Sequence, residues 1–365
     1  MKKICSIAGL VVTIEYQFLE YFEDNLDAYE TTLNPEYDIA SKVVEYIPLL
    51  EEPFMSDQYR KFFKRDYQEI IQVVDKDNVV KSQIIRDTLN NQTIISQVLS
   101  LTKNPSEMEY ILISMAFLEY ASLKGFLALH ASSVVIDNFV YLFSAPSQTG
   151  KSTHADNFIK QFKNAFILND DKPLIKDNIV YGTPFSGKEK KNRNVSFPIK
   201  AIYFIKQGNK DEIKKLTSEK STPLMLKNIL RPSDTQTWEI ILPNINRIIR
   251  EIPIFEAQLT LNKLNVHMTY FEPNKEIIMK IKDGFVVKEV GNQYMVLPVG
   301  EGALNFNGIM TLNKTGKFLF ELLQENRELD ELLERVLDKF EVDIHIAKKD
   351  IIEFTQSLQN KGLLE

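Results

Sequence analysis

Phe139-Val140-Tyr141-Leu142-Phe143-Ser144, followed by Ala145-Pro146-Ser147-Gln148-Thr149-Gly150-Lys151-Ser152-Thr153, is the stretch that decides the fold. An apolar run of strand length meets a short polar loop, and a helical pattern from Ser152 to about Phe162 comes after it. The loop nearly fits G-x-x-x-x-G-K-[ST], with Ala145 in place of the first glycine. In such a loop, successive backbone N–H groups and the helix N-terminus surround phosphate oxygens. Lys151 would neutralise the β- and γ-phosphates, and the Ser152 hydroxyl would ligate Mg²⁺. Ala145 is the soft point, since it must take a backbone angle that its β-carbon tolerates.

Upstream, Ser133 to Asp137 reads as a strand and Asp137-Asn138 as a hairpin turn. Downstream, Ala165 to Leu168 reads as a third strand ending at Asn169-Asp170-Asp171. Adjacent strand residues point to opposite sides, so one carboxylate can face Mg²⁺ and the other an acceptor hydroxyl. His130 precedes the hairpin that leads into the loop. The first hundred residues suggest β-rich structure, with Cys5 to Tyr16 and Tyr67 to Asp75 as strands; Glu107 to Lys124 has helical spacing. Beyond a polar turn at Phe271 to Lys275, strands over 285–290 and 293–297 are joined by Gly291-Asn292, and Leu304 to Leu312 is a third. Asn313 caps a helix, with further helices at about 328–339 and 347–360, which makes a winged-helix-like module.

Composition narrows the function. The chain has 365 residues, 44% apolar and 26% charged, which excludes a disordered or membrane-embedded protein as the main reading. One cysteine, Cys5, and four scattered histidines exclude an internal disulfide and a Cys/His zinc site. Met1-Lys2-Lys3 before an apolar run imitates a secretory signal, but the run lacks a cleavage site and reads as a strand. A cytoplasmic protein without a membrane partner is expected. Net charge is −6, and residues 281–365 hold 15 acidic and 10 basic side chains. That acidic end repels nucleic acid.

Residues 129–205 resemble the catalytic domain of HPr kinase/phosphorylase, whose fold occurs also in ATP-dependent phosphoenolpyruvate carboxykinase. The resemblance rests on His130-Ala-Ser-Ser-Val134, the loop Ala145 to Thr153, and Asp170-Asp171, in that order. Ala131, Ala145, Gln148 and Thr153 depart from the family pattern. The resemblance implies Asp170 as general base, Asp171 with Ser152 on the metal, and His130 assisting the acceptor or phosphate. It implies Mg²⁺ and ATP, with GTP as an alternative. Thr183 to Glu189 resembles a segment of kinase-like relatives in which Lys188 would contact phosphate. Residues 281–364 are similar to PqqD, the peptide chaperone of pyrroloquinoline quinone biosynthesis. The matching residues are Asp283 to Val287, Tyr294 to Val299, Phe306 to Gly316 and Lys361 to Leu364. That similarity implies leader-peptide binding at Phe306, Asn307, Gly308, Ile309 and Met310, by strand addition at a sheet edge.

The expected architecture is therefore α/β: a phosphoenolpyruvate carboxykinase/HPr kinase-like P-loop domain over 106–272, with a winged-helix-like module over 276–365. An α+β region over 1–105 precedes them. The resemblances imply a kinase for Ser or Thr of a ribosomally made precursor peptide. A nucleotide-gated peptide chaperone and a small-molecule phosphotransferase are the alternatives, and a homo-oligomer is left open.

Overall fold

The run expected as one strand from Cys5 to Tyr16 is a hairpin, because Ala8 and Gly9 both take left-handed backbone, with φ of 53° and 80°. Its arms, Lys2–Ile7 and Leu10–Glu15, pair antiparallel. They begin an eight-stranded sheet completed by Tyr37–Val44, Met55–Ser56, Arg60–Arg65, Gln68–Val74, Val80–Asp87 and Gln92–Val98. The computed structural model describes residues 1–146, 149–186, 190–232, 234–291, 293–300 and 310–365.

Helix α1, Pro105–Leu123, starts at a favoured proline position, and the Asn104 side chain accepts from the Glu107 N–H. Its Ile113, Phe117 and Ala121 are fully buried in one cluster with Ile14 and Ile39 of the sheet. Leu174 and Phe185 belong to that same cluster. The first hundred residues thus share a core with α1 and with the segments that carry Leu174 and Phe185. The chain divides into one unit of 1–205 with 216–255, and a second of 206–215 with 256–365.

In the first unit, Ala131–Ile136 and Phe139–Ser144 form the expected hairpin, with Asp137 and Asn138 at φ of 51° and 63°. Phe166–Asn169 pairs antiparallel on one side, and Ser196–Gln207 runs parallel to Phe139–Ser144 on the other. Side chains alternate between two covered faces. Tyr141 and Phe143 pack tilted rings against Phe158 of α2, Lys151–Gln161. Val140 and Leu142 join a cluster with Met225 of α3, Ser218–Asn228, and with Ile241 and Ile245 of α4, Thr235–Glu251. Burial on both faces explains why these strands read as continuous apolar runs.

Gly182 comes directly after the short strand Ile179–Tyr181, and a β-carbon there would lie 1.9 Å from the Arg193 carbonyl oxygen. Backbone cannot yield as a side-chain tip can. Gly182→Ala is expected to cost at least about 1–3 kcal/mol; a thermal melt unchanged from wild type would contradict this.

The second unit contains the expected three strands and three helices. Phe285–Val290, Gln293–Pro298 and Met310–Leu312 form a sheet in that order, followed by helices Lys314–Leu322, Leu329–Lys339 and Ile344–Asn360. Asn313 caps the first of these helices, accepting from the Gly316 N–H at 2.7 Å. The unit is larger than the module expected to start at 276. Asp211 accepts from the Thr260 N–H at 2.6 Å and lies 3.6 Å from His345. Lys348, nearly buried, pairs with Glu272 at 3.5 Å and lies over the Phe271 ring. A fragment cut at 276 would leave that ammonium without its carboxylate, so independent folding of 276–365 is not the expectation from this packing.

His267 is fully buried, and burial pushes its imidazole down to about 4 from 6.5. The unfolded chain then binds the proton more readily than the folded one. Stability is complete above pH 6.5 and falls as pH drops toward 4, by about 3 kcal/mol for this group. Denaturant titrations at several pH values check this, and His267→Phe should remove that component of the slope.

Candidate active site

Gly150 opens α2 from a left-handed conformation, φ 108°, that glycine adopts without strain. The turn before it closes with the Thr149 N–H donating to the Pro146 carbonyl at 3.2 Å. Ala145 is buried and has no positive φ, so its β-carbon meets no conformational obstacle. Ser147 and Gln148 lie outside the described residues, as do Gly187, Lys188 and Glu189.

Three expected residues come together. The Lys151 ammonium lies 2.8 Å from His130 Nε2, and His130 Nδ1 lies 3.0 Å from Asp171 Oδ1. An ammonium can only donate, so Nε2 accepts and the imidazole proton sits on Nδ1, aimed at Asp171. Lysine, histidine and carboxylate thus form one hydrogen-bonded line at the start of α2.

Asp170 follows the strand's end at Asn169 and has other partners. Its Oδ1 accepts from the Ser132 hydroxyl at 2.6 Å, and the Ser152 hydroxyl also bonds to it. The Ser152 hydroxyl thus neighbours Asp170, whereas Asp171 meets His130. Sequence alternation separates the two carboxylates, but which side each takes depends on how the turn is held. Asn169 holds it, its Oδ1 accepting from the N–H groups of Asp171 at 2.9 Å and Lys172 at 2.7 Å.

The electrostatics differ accordingly. Burial raises the Asp170 carboxyl above its ordinary range, with Ser132, Ser152 and Lys191 opposing. Burial would raise Asp171 too, but His130 and Lys172 outweigh it and hold that carboxyl low. Burial pulls Lys151 down, against the attraction of Asp171 and Asp170.

Sequence reasoning missed Ser132, Asn169 and Lys172. An Asn heading a polar Asp-Asp-Lys-Pro turn is a recognisable signal for an Asx turn; nothing marks Ser132. Residues on both sides of the undescribed 187–189 are tied to the first hundred residues and to α1. Asn192 bonds Tyr29 Oη at 3.1 Å and Asn25 at 2.9 Å, and Asn194 donates to the Ala28 carbonyl at 2.9 Å. On α1, the Tyr110 hydroxyl donates to the carbonyls of Pro184 and Ser186.

Of the expected leader-binding residues, Phe306, Asn307, Gly308 and Ile309 lie outside the described residues. Met310 is buried and pairs with Val296. Among the described residues, Met310–Leu312 is an outer strand of its three-stranded sheet. No helix among them is long and apolar enough to cross a membrane.

Comparison with known proteins bears on this second unit. No curated protein matches the chain. A solved structure described as TbiB1 in complex with the TbiA(beta) leader peptide is 26% identical, over 24% of this chain and 94% of that one, at a TM-score of 0.20. Residues 294–364 match the family model of coenzyme PQQ synthesis protein D, and the chain thus carries a PqqD domain at its C-terminus.

Proposed function

We propose that this protein is an ATP-dependent kinase that phosphorylates a Ser or Thr hydroxyl of a precursor peptide whose leader is held by the PqqD domain. The observation that supports it most is the line Lys151–His130–Asp171 beside the Ser152–Asp170 pair, at the N-terminus of α2. Phosphoryl transfer needs positioned charge more than covalent chemistry, and these groups supply it. Lys151 would move from His130 onto the incoming phosphates, with the α2 N–H groups beside it. Ser152 and Asp170 are hard oxygen donors, suited to Mg²⁺, which takes few protein ligands and completes its shell with phosphates and water. When bound there, Mg²⁺ would offset charge on the phosphates.

The acceptor side falls to Asp171. His130 Nδ1–H holds its Oδ1 and the Lys172 ammonium lies 3.1 Å from its Oδ2, so Oδ2 would take the proton of the attacking hydroxyl as Lys172 turns to phosphate. This reverses the roles that the family resemblance implies for the two carboxylates. For recruitment, the PqqD match supports leader binding, and the outer strand ending at Leu312 offers an edge for strand addition.

The test is phosphopeptide formation with a co-encoded peptide, Mg·ATP or Mg·GTP, read by mass spectrometry. Lys151→Ala should weaken nucleotide binding about 10- to 100-fold in calorimetry, the worth of a charge-assisted contact. Equal affinities in wild type and variant would remove the loop from the nucleotide site. Wild-type protein that binds nucleotide and peptide yet transfers nothing would be the nucleotide-gated chaperone.

A further inference from the structure

Lys172 sits in a turn whose backbone is held from several directions. Its N–H donates to Asn169 Oδ1 at 2.7 Å, and its carbonyl accepts from the Thr183 hydroxyl at 3.1 Å. Asn169 Nδ2 donates in turn to the Thr183 carbonyl at 2.9 Å, and both residues are fully buried. On either side of Lys172, the carbonyls of Asp171 and Pro173 accept from the N–H groups of Ala131 at 3.1 Å and Leu129 at 3.3 Å. The Lys172 side chain is the part left to move. It is partly exposed, and its four-carbon stem is flexible.

Its ammonium lies 3.1 Å from Asp171 Oδ2, while His130 Nδ1–H holds Oδ1. The line at the start of α2 therefore has a fourth member, in the order Lys151, His130, Asp171 and Lys172. The geometry of transfer limits where that fourth member can go. A base must lie about 2.6–3.2 Å from the acceptor hydroxyl, whose oxygen stands about 3–3.5 Å from the phosphorus it attacks. With Asp171 Oδ2 as the base, the γ-phosphorus is one hydroxyl oxygen removed from the atom that Lys172 now holds. An oxygen still paired with an ammonium is a poor proton acceptor, because the pairing favours its charged form. The ammonium must leave Oδ2, and the anion that this geometry brings within its reach is the γ-phosphate.

We propose that Lys172 is a catalytic residue that exchanges Asp171 Oδ2 for the γ-phosphate when a nucleoside triphosphate binds, and touches neither of the other two phosphates. This role rests on the kinase reading and names the side chain by which the site tells a triphosphate from a diphosphate. In the transfer, the acceptor oxygen bonds to the γ-phosphorus and the bond from that phosphorus to the leaving diphosphate breaks. The hydroxyl proton passes to Asp171 Oδ2, which later gives it to water. Lys172 stays with the phosphoryl group, and Lys151 with the diphosphate.

Calorimetry on the full chain in Mg²⁺ tests this with ADP and with the β,γ-imido analogue of ATP, which is not cleaved. In Lys172→Met, which keeps most of the stem and removes the charge, affinity for the analogue should fall about 10- to 100-fold, with ADP binding unchanged. Lys172→Arg should recover part of that loss, whereas Lys151→Ala should weaken both nucleotides. Phosphorylation of the peptide at saturating nucleotide should fall at least about tenfold in Lys172→Met. A merely structural lysine would move both affinities together or neither. Equal losses for the two nucleotides, or an unchanged affinity for the analogue, in a variant that melts like wild type would overturn the role of Lys172 and leave the kinase reading standing. Wild-type protein that binds neither nucleotide would remove the kinase reading itself, and this role with it.

Discussion

Asp171→Asn is expected to lower phosphopeptide formation by about 10²- to 10⁴-fold, the usual worth of a positioned base, with Mg·nucleotide affinity nearly unchanged. The amide keeps the shape and can still accept from His130 Nδ1, 3.0 Å away in wild type, but it cannot take up a proton. Asp170→Asn should behave differently. It weakens the oxygen site shared with Ser152, so nucleotide affinity in Mg²⁺ falls along with turnover. The pair of variants separates the two assignments. Loss of transfer with intact binding in Asp170→Asn, together with an active Asp171→Asn, would restore the roles implied by family resemblance.

Supplying the peptide without its leader should raise its apparent KM by about 10²- to 10⁴-fold, with kcat altered little. A tethered substrate meets the site at an effective concentration that free core peptide does not reach, and binding shared by ground and transition states appears in KM alone. Because Lys348 depends on Glu272, shortening the peptide is a cleaner experiment than cutting the enzyme at 276. Adding the separate leader in excess should inhibit full-length peptide competitively. Equal KM for both peptides would mean that the PqqD domain holds another partner.

The features closest in sequence are the most legible. Asp137-Asn138 and Gly291 mark hairpins because left-handed backbone has few occupants, and Asn313 announces a helix start by its own hydrogen bond. Gly150-Lys151-Ser152 before a helix is equally plain. Legibility stops where distant segments decide. Cys5 to Tyr16 is largely apolar and Ala8 carries no turn signal, so Gly9 alone hints at the hairpin there. The shared core of Ile14, Phe117 and Phe185 joins residues too far apart for any local pattern to connect. For the site, alternation announces that Asp170 and Asp171 diverge. Only the Asn169 turn and the Ser132 hydroxyl settle which one meets Ser152.

Residues 206–215 belong to the second unit although the chain returns to the first until 255. The polypeptide therefore passes between the units at three places rather than one. A module appended at a chain end can be lost, exchanged or transplanted by a single recombination event, but this one cannot be lifted out that way. Whoever grafts it onto another enzyme must bring the ten-residue excursion along, because Asp211 anchors Thr260 and Asn265 from within it. A protease nicking any one crossing would leave the others intact, so the fragments should still travel together through a sizing column under native conditions.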